Sequence, residues 1–156
     1  MIKKIEDNNV YEAITLMNKA VTEGRHDAYK RNEYVWIQSF MSLVEEQRKE
    51  NPRVLVIGDY DTNNKLRGFL SASAFINSYD GEYVMDIRDC IVDHDHKNNA
   101  FVIYRLFDAM INHVKKHGGK YWRADSIRSE QEAMDYGRFL QHRYNAKLHV
   151  SVRGEV

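Results

Sequence analysis

The sequence of 156 residues predicts a single α/β domain, in which a mixed and mostly antiparallel sheet of about six strands is flanked by four helices. Three observations indicate this class. Segments with helical periodicity alternate with short β-branched runs, clusters of turn residues separate the runs in the middle of the chain, and Pro52 is the only proline. A chain of this length buries one sizeable core, whereas two domains would each approach the lower size limit, so residues 1–156 form one domain.

The first third of the chain predicts a strand followed by two helices. Residues 2–6 form the strand, and a helix then begins at Asn8 or Asn9 and ends at Gly24, since asparagine caps helix starts and glycine favours helix ends. Its apolar face comprises Val10, Ile14, Met17 and Val21. The second helix covers residues 32–49 and ends before Pro52. Its predicted apolar face comprises Tyr34, Ile37, Met41 and Val44, broadened by Trp36, Phe40 and Leu43.

Three consecutive strands are predicted in the middle of the chain, at residues 53–58, 66–76 and 82–92. Turn-forming residues at 61–65 and 77–81 separate them, so the three strands form an antiparallel meander. Strict alternation along the third of these strands places one set of apolar side chains on a common face: Tyr83, Met85, Ile87 and Ile91. The same alternation places Cys90 on the opposite face as a small buried residue.

The remaining chain predicts a helix, a strand, a helix and a final strand. The first of these helices starts near Ala100 and is closed by Gly118 and Gly119. Its apolar face comprises Ile103, Leu106, Phe107, Met110, Ile111 and Val114. A short strand at residues 121–126 precedes a fourth helix, which a capping box at residues 129–132 opens and which runs to about Arg143. Alternating apolar residues at 148–152 predict the last strand.

Composition excludes several classes of protein. The 23 basic and 23 acidic side chains cancel, which argues against a nucleic-acid-binding protein, and no apolar run is long enough for a membrane span. Cys90 is the only cysteine, so an internal disulfide framework is excluded. The run at residues 93–96 alternates Asp and His, but no distant ligands accompany it, and we expect a solvated loop without metal. We expect a cytoplasmic or otherwise intracellular protein.

The order strand, two helices, three-stranded meander, helix, strand, helix, strand resembles the GNAT superfamily of acyl-CoA-dependent N-acetyltransferases over essentially the whole chain. The resemblance implies that the fourth strand, residues 82–92, splays from the fifth and that acetyl-CoA enters the cleft between them. It also implies that the loop at residues 93–99 wraps the pyrophosphate at the start of the following helix. The N-terminus of a helix suits a phosphate because it presents unpaired N–H groups and a partial positive charge.

The resemblance implies a set of cofactor-binding residues at the end of the fourth strand and the start of the next helix: Ile91, Val92, Lys97, Asn98, Asn99, Ala100 and Val102. Family members usually carry a basic or amide residue, two spacer residues, a glycine, one spacer and then a glycine or alanine, and the small residues let the backbone approach the phosphate. In one register Lys97, Ala100 and Val102 take these positions, and in the other register Asn98, Phe101 and Ile103 do. No glycine occurs between Gly81 and Gly118.

Amine acetylation needs a neutral amine, hence a general base, and an acid that protonates the departing thiolate. Asp86 and Asp89 are the candidate bases on the fourth strand, on opposite faces by alternation, with Glu82 and Asp125 as further carboxylates nearby. Family members often carry the acid as a tyrosine on the fourth helix, at the position that Leu140 takes here. Two tyrosines near that position are alternative acids: Tyr136 one turn earlier, and Tyr144.

Two functions remain open on this sequence. The first is an N-acetyltransferase that moves an acetyl group from acetyl-CoA to an amine of unknown identity. The second is a catalytically silent GNAT-fold structural or interaction protein, for example a phage virion component, which the missing glycines and Leu140 favour. Protein partners or a homo-oligomer are expected for the second function, and its location would then be the virion.

Overall fold

The computed structural model describes residues 1–23, 32–95, 98–124 and 130–147. In chain order the elements are β1 (Ile2–Lys4), α1 (Asp7–Thr22), α2 (Glu33–Arg48), β2 (Val54–Tyr60), β3 (Leu66–Ile76), β4 (Tyr83–Val92), α3 (Asn99–Lys116), β5 (Tyr121–Ala124) and α4 (Glu130–Tyr144). The predicted α/β class is confirmed, with five strands instead of about six among the described residues. The predicted last strand at 148–152 lies outside them, as do Gly24 and Ser129.

The five strands form one sheet in the order β1-β2-β3-β4-β5. Neighbouring strands are antiparallel except β4 and β5, which are parallel because α3 carries the chain back across the sheet between them. The β4–β5 pairing runs from Val84↔Tyr121 to Ile87↔Ala124, whereas β4 itself continues to Val92. The second half of β4 therefore extends beyond its described pairing with β5.

Helices cover both faces of the sheet. On one face, α1 and α2 bury a cluster that includes Met17, Phe40 and Phe69, and on the other face α3 and α4 bury a cluster that includes Phe107 and Leu140. Within the described residues, no helix is both long and apolar enough to cross a bilayer. The two faces thus define an α1/α2 side and an α3/α4 side, and both meet β4.

The buried face of α2 is rotated relative to the prediction. Tyr34 and Met41 are exposed, and the buried positions are Phe40, Val44 and Gln47. Gln47 is buried because both ends of its amide are used: Nε2 donates to the carbonyl of Ile5 at 3.2 Å, and Oε1 accepts from the N–H of Val56 at 2.6 Å. A polar residue thereby replaces an apolar one in the core by bonding to backbone that no strand partner satisfies.

A β-bulge interrupts the pairing of β3 with β4. Ser71 faces Asp89 and Ala72 faces Ile87, so Arg88 has no partner residue and is the extra residue of the bulge. Beyond it, the side chains change face: Ile91 packs in the α1/α2 cluster, and Cys90 packs against the α3/α4 cluster together with Ile87. The predicted common face of Ile87 and Ile91, and the predicted opposite position of Cys90, were therefore wrong.

The same bulge corrects the placement of the two candidate bases. Asp86 faces Ser73 and Asp89 faces Ser71 across the ladder, and these two serines are separated by one residue in β3. Because alternate residues of a strand share a face, Asp86 and Asp89 both lie on the α1/α2 side. Their predicted position on opposite faces was wrong, since strict alternation does not allow for an inserted residue.

A buried carboxylate in β2 links β2 and β3 to α3. Asp59 in β2 is 0% exposed; its oxygens accept hydrogen bonds from Arg67 at 2.8 Å and from the amino group of Met1 at 3.2 Å, and they form an ion pair with Arg105 at 3.1 Å. Arg67 lies on β3 and Arg105 on α3. Because a buried charge is stable only when it is paired and hydrogen-bonded, these contacts fix α3 against the edge of the sheet.

Replacing this carboxylate is expected to be strongly destabilising. In Asp59→Asn the two guanidinium groups lose their counter-charge in a buried site, so the free energy of unfolding should fall by about 3–5 kcal/mol. Urea denaturation at neutral pH measures the change. The exposed carboxylate of Glu45 lies 3.8 Å from Lys49, and Glu45→Gln is the control that should leave the midpoint almost unchanged. Equal midpoints for the two variants would contradict a structural role for Asp59.

Candidate active site

The candidate site lies where β4 leaves β5. The last described pair of these strands is Ile87 with Ala124, and the bulge at Arg88 follows directly. From Arg88 to Val92, no strand among the described residues pairs with the β5 side of β4. Backbone groups at such an edge can bind an extended ligand by adding it to the sheet. We call the region from Ile87 to Val92, together with the diverging strand β5, the fork.

Helix α3 begins close to the end of the fork, after the loop that follows Val92. The N–H groups of Phe101 and Val102 donate to the carbonyl of Asn98 at 3.1 and 3.2 Å, which leaves the N–H of Ala100 ahead of the first helical hydrogen bonds. Asn98 makes no side-chain capping bond, and the first turn contains no acidic residue. An anion is favoured at such a helix start. Lys97, the basic candidate for this site, lies outside the described residues.

Val102, which in one of the two registers of the resemblance takes a position expected to carry a small residue, is a core residue. Val102 is 0% exposed, and its Cγ1 would lie 2.8 Å from a Cβ added at Gly68 in β3. Val102 therefore packs into the space that Gly68 leaves open. Its side chain points into the α3/α4 cluster and does not stand in front of the helix start, whereas Ala100 is exposed there. Val102 holds α3 on the sheet and offers no side-chain contact to a ligand.

A lysine from α1 forms ion pairs with two carboxylates at the start of the loop after β4. The amino group of Lys19 lies 2.7 Å from a carboxylate oxygen of Asp93 and 2.6 Å from one of Asp95. Hydrogen bonds to these carboxylates raise the pKa of Lys19 above its ordinary value. Burial is the largest single influence on the pKa of Asp93 and raises it, but the hydrogen bonds from Lys19 and from the backbone N–H of Asp95, together with nearby positive charge, outweigh burial, so this pKa is lowered. Nearby, Asn99 Nδ2 approaches the ring of His94 at 3.3 Å.

Asp86 is held in a two-point ion pair. Its two oxygens accept from Arg123 Nε at 3.0 Å and from a terminal nitrogen of Arg123 at 3.1 Å, and the same guanidinium stacks over Phe75 at 5.3 Å. A bidentate arginine engages both carboxylate oxygens through two parallel, charge-assisted hydrogen bonds. Glu82 is similarly paired with Lys120 at 2.5 Å, and Asp125 lies outside the described residues.

Asp89 is a buried member of a hydrogen-bonded group beside the bulge. One oxygen accepts from the hydroxyl of Ser71 at 2.6 Å and the other from the indole N–H of Trp36 at 3.2 Å, and the residue is 8% exposed. Trp36 in turn stacks on Phe40 in α2. The carboxylate thus connects β3, β4 and α2 at the fork. Neither carboxylate predicted as a base points freely into open space.

The candidate acids lie on the α3/α4 side of the sheet. Tyr136 packs edge-on against Phe107 and parallel to Phe139, and Leu140 is buried in the same cluster. The hydroxyl of Tyr144 donates to a carboxylate oxygen of Asp108 at 3.1 Å. Burial, followed by the charge of Asp108, raises the pKa of Tyr144 above its ordinary value, so it is a weaker acid than a free tyrosine.

Several residues at the fork were not found from the sequence: Trp36, Gly68, Ser71, Arg88 and Arg123. A usable signal exists for only one of them. Arg88 and Asp89 are consecutive polar residues between the apolar Ile87 and the apolar run at 90–92, and such a break in the pattern is typical of a bulge. The described residues contain no group of three His, Cys, Asp or Glu side chains that could hold a metal ion.

A sheet that opens between two parallel strands, beside the start of the helix joining them, defines the chain as a GNAT fold. Solved structures with this fold cover nearly the whole chain. The ribosomal-protein-alanine N-acetyltransferase of Brucella melitensis biovar Abortus superposes with a TM-score of 0.68 at 15% identity, covering 100% of this chain and 99% of that one. An aminoglycoside 6'-N-acetyltransferase of Acinetobacter haemolyticus gives 0.69 at 16% identity, covering 100% and 99%.

The glucosamine-6-phosphate N-acetyltransferase of Arabidopsis thaliana is similar to the same extent, with a TM-score of 0.67 at 14% identity over 99% of this chain and 98% of that one. No family sequence model and no curated protein sequence matches the chain. At these identities the likeness establishes the fold, and function has to be argued from the site.

The fit between Gly68 and Val102 predicts a coupled mutational effect. Gly68→Ala places a methyl group 2.8 Å from Val102 Cγ1 and 2.9 Å from the carbonyl oxygen of Ile91, and we expect it to lower the free energy of unfolding by about 1–3 kcal/mol. Adding Val102→Ala removes one of the two clashes. Urea denaturation of the double-mutant cycle should therefore show a favourable coupling of about 0.5 kcal/mol or more. Additive effects would contradict direct packing of these residues.

The bridge from Lys19 predicts a pH-dependent stability difference. Because the folded pKa of Asp93 is lowered, its stabilisation is complete above the unfolded pKa of about 3.9 and is lost as the pH falls through the folded value. Lys19→Gln should therefore have a lower urea midpoint than wild type at neutral pH, and the difference should vanish near about pH 2. The exposed Lys115→Gln is the control, and a difference that persists at acid pH would contradict the bridge.

Proposed function

We propose that the chain binds acetyl-CoA at the fork and transfers the acetyl group to an amine. The observation that carries this proposal is the combination, at one end of β4, of an open strand edge, a bulge and a helix start without acidic residues. Acetyl-CoA supplies an activated thioester. The amine nitrogen forms a bond to the thioester carbonyl carbon and gives up one proton to solvent, the carbon–sulfur bond breaks, and the thiolate that leaves takes up a proton.

The residues at the helix start suit a pyrophosphate despite the absence of glycine. The exposed Ala100 adds only a methyl group, and Val102 points into the core, so neither occupies the space in front of the helix. Asp93 and Asp95 would repel phosphate, but Lys19 pairs with both carboxylates and offsets one of their two negative charges. We assign the pyrophosphate to the backbone of Asn98, Asn99 and Ala100 with Lys97 nearby, and the extended part of the ligand to the edge of β4 at Ile91 and Val92.

The engaged carboxylates determine how the acceptor amine reacts. Asp86 is held by Arg123, and Asp89 accepts two hydrogen bonds in a buried position. In both arrangements the carboxylate oxygens are engaged by donors of the protein, so neither carboxylate is directed at an acceptor amine. We therefore propose that the amine arrives in its neutral form, that Asp86 and Asp89 act by holding the fork in shape, and that Tyr136 is the candidate acid for the thiolate.

A structural role without catalysis is the second candidate. The same engaged carboxylates favour it, together with the buried Leu140 at the position that carries the acid tyrosine in the family. On the outer face of α2, the large side chains of Tyr34, Val35 and Met41 are exposed and would suit contacts with another protein. In this case the chain would be found in its native context inside a larger assembly, such as a virion, and a free monomer there would count against it.

Calorimetric titration with acetyl-CoA tests the pyrophosphate site. We expect wild type to bind, and we expect Ala100→Glu to bind roughly tenfold more weakly or worse, because a negative charge in the first turn repels phosphate. The same substitution is favourable for the helix itself, since acidic residues stabilise helix starts, so the variant should fold. The loss of affinity can then be attributed to the site.

The matched control for this titration is Gln38→Glu, which adds the same charge at an exposed position of α2. It should bind acetyl-CoA as wild type does. Wild type that gives no heat at millimolar acetyl-CoA would overturn the proposed enzyme and leave the structural role. Unchanged affinity in Ala100→Glu would instead place the ligand away from α3.

The proposal that the amine arrives neutral predicts a simple pH profile. With acetyl-CoA saturating, kcat/KM for a given acceptor should rise with pH and level off at the pKa of that acceptor's own amine. Asp86→Asn should retain the same profile and should lower the rate by less than about tenfold, since the carboxylate takes up no proton. An additional limb of the profile that disappears in Asp86→Asn would show that Asp86 is the base.

A further inference from the structure

The side chain of Arg88 is presented at the fork on the α1/α2 side. As the extra residue of the bulge, Arg88 has no partner across the ladder, and its Nε donates to the hydroxyl of Ser73 at 3.0 Å. Ser73 lies opposite Asp86, so this contact places the guanidinium on the same face as both carboxylates of the fork. The side chain is exposed, at the point where β4 extends beyond its described pairing with β5.

The hydrogen bond to Ser73 leaves the two terminal nitrogens of the Arg88 guanidinium as a pair of donors. It uses only Nε, and among the residues that the structure describes, Ser73 is the only recorded partner of Arg88. The neighbouring carboxylates face other donors, because Asp86 pairs with Arg123, and Asp89 bonds Ser71 and Trp36. A guanidinium that is anchored through Nε and open at its two terminal nitrogens matches the geometry of a carboxylate, which it binds through two parallel hydrogen bonds.

We propose that Arg88 binds the carboxylate of the acceptor, so that the substrate class is amines that carry a carboxylate a few bonds from the reacting nitrogen. This inference rests on the proposed function, since it places the amine at the fork. Phe75, which lies on the same face and is partly exposed, provides an apolar surface for the rest of the acceptor. Arg88 is thus a specificity-determining residue. The carboxylate of the acceptor supplies the negative charge opposite its guanidinium, since no described carboxylate forms an ion pair with Arg88.

Matched pairs of acceptors test the proposal. The probes are glycine, β-alanine and phenylalanine, each compared with its own amide, and acetyl transfer from acetyl-CoA is followed by mass spectrometry. Rates are expressed per neutral amine, because an acid and its amide differ in amine pKa. We expect wild type to prefer at least one acid over its amide by tenfold or more in kcat/KM. In Arg88→Gln this preference should disappear through the KM of the acceptor, with the affinity for acetyl-CoA unchanged.

Arg88→Lys keeps the charge but loses the paired donors, so it should retain only part of the preference. Arg48→Gln, at the end of α2 where Arg48 pairs with Asp7, is the matched control and should keep the full preference. Equal or faster reaction of the amides, an unchanged preference in Arg88→Gln, or binding of acetyl-CoA without acetylation of any acid would overturn the role of Arg88. Failure of wild type to bind acetyl-CoA would instead overturn the proposed function, and the two failures are therefore distinguishable.

Discussion

The bulge in β4 is the constraint on which the geometry of the site depends. If the same sequence paired with β3 in strict alternation, without a bulge, every side chain after Arg88 would lie on the opposite face. Asp89 would then point towards α3 instead of α2. With it, Asp89 reaches both Ser71 and Trp36, and these two bonds secure the bulge from two directions. Both donors help to offset the cost of burying the carboxylate. The shape of the strand and the buried charge therefore maintain each other.

A second buried carboxylate fixes the helix that follows the fork. Asp59 holds Arg105 of α3 and Arg67 of β3, and one turn earlier Val102 fills the space above Gly68. The start of α3 is thus positioned by an ion pair and by close packing, neither of which involves the loop before it. The helix start can keep its position while that loop changes in sequence, which is the property a binding site on a rigid element requires.

The sequence predicted the order of elements because helical periodicity and turn residues are local signals, and β3 was predicted with its exact bounds, Leu66–Ile76. It did not predict which face of α2 is buried. Aromatic and aliphatic residues occur around much of that helix, and the choice was decided by Gln47, whose two backbone bonds link strands distant in sequence. The site was less accessible still, because an inserted residue reverses all later alternation, and because the contacts of Asp86 with Arg123 and of Asp89 with Trp36 join distant segments.

The missing glycines in the loop before α3 have a different meaning once side-chain directions are known. A glycine at position 102 would make room for a ligand only if the side chain there faced the ligand. The side chain of Val102 instead faces β3, and the glycine in this helix–strand contact is Gly68 of β3. Packing between a helix and a strand needs a small residue on one of the two elements, and either element can supply it. A sequence motif that is restricted to the loop before α3 therefore does not include the small residue when it lies on β3. The approach of a phosphate to α3 then depends on Ala100 and on the charges near the helix start, where Lys19 pairs with the carboxylates of Asp93 and Asp95.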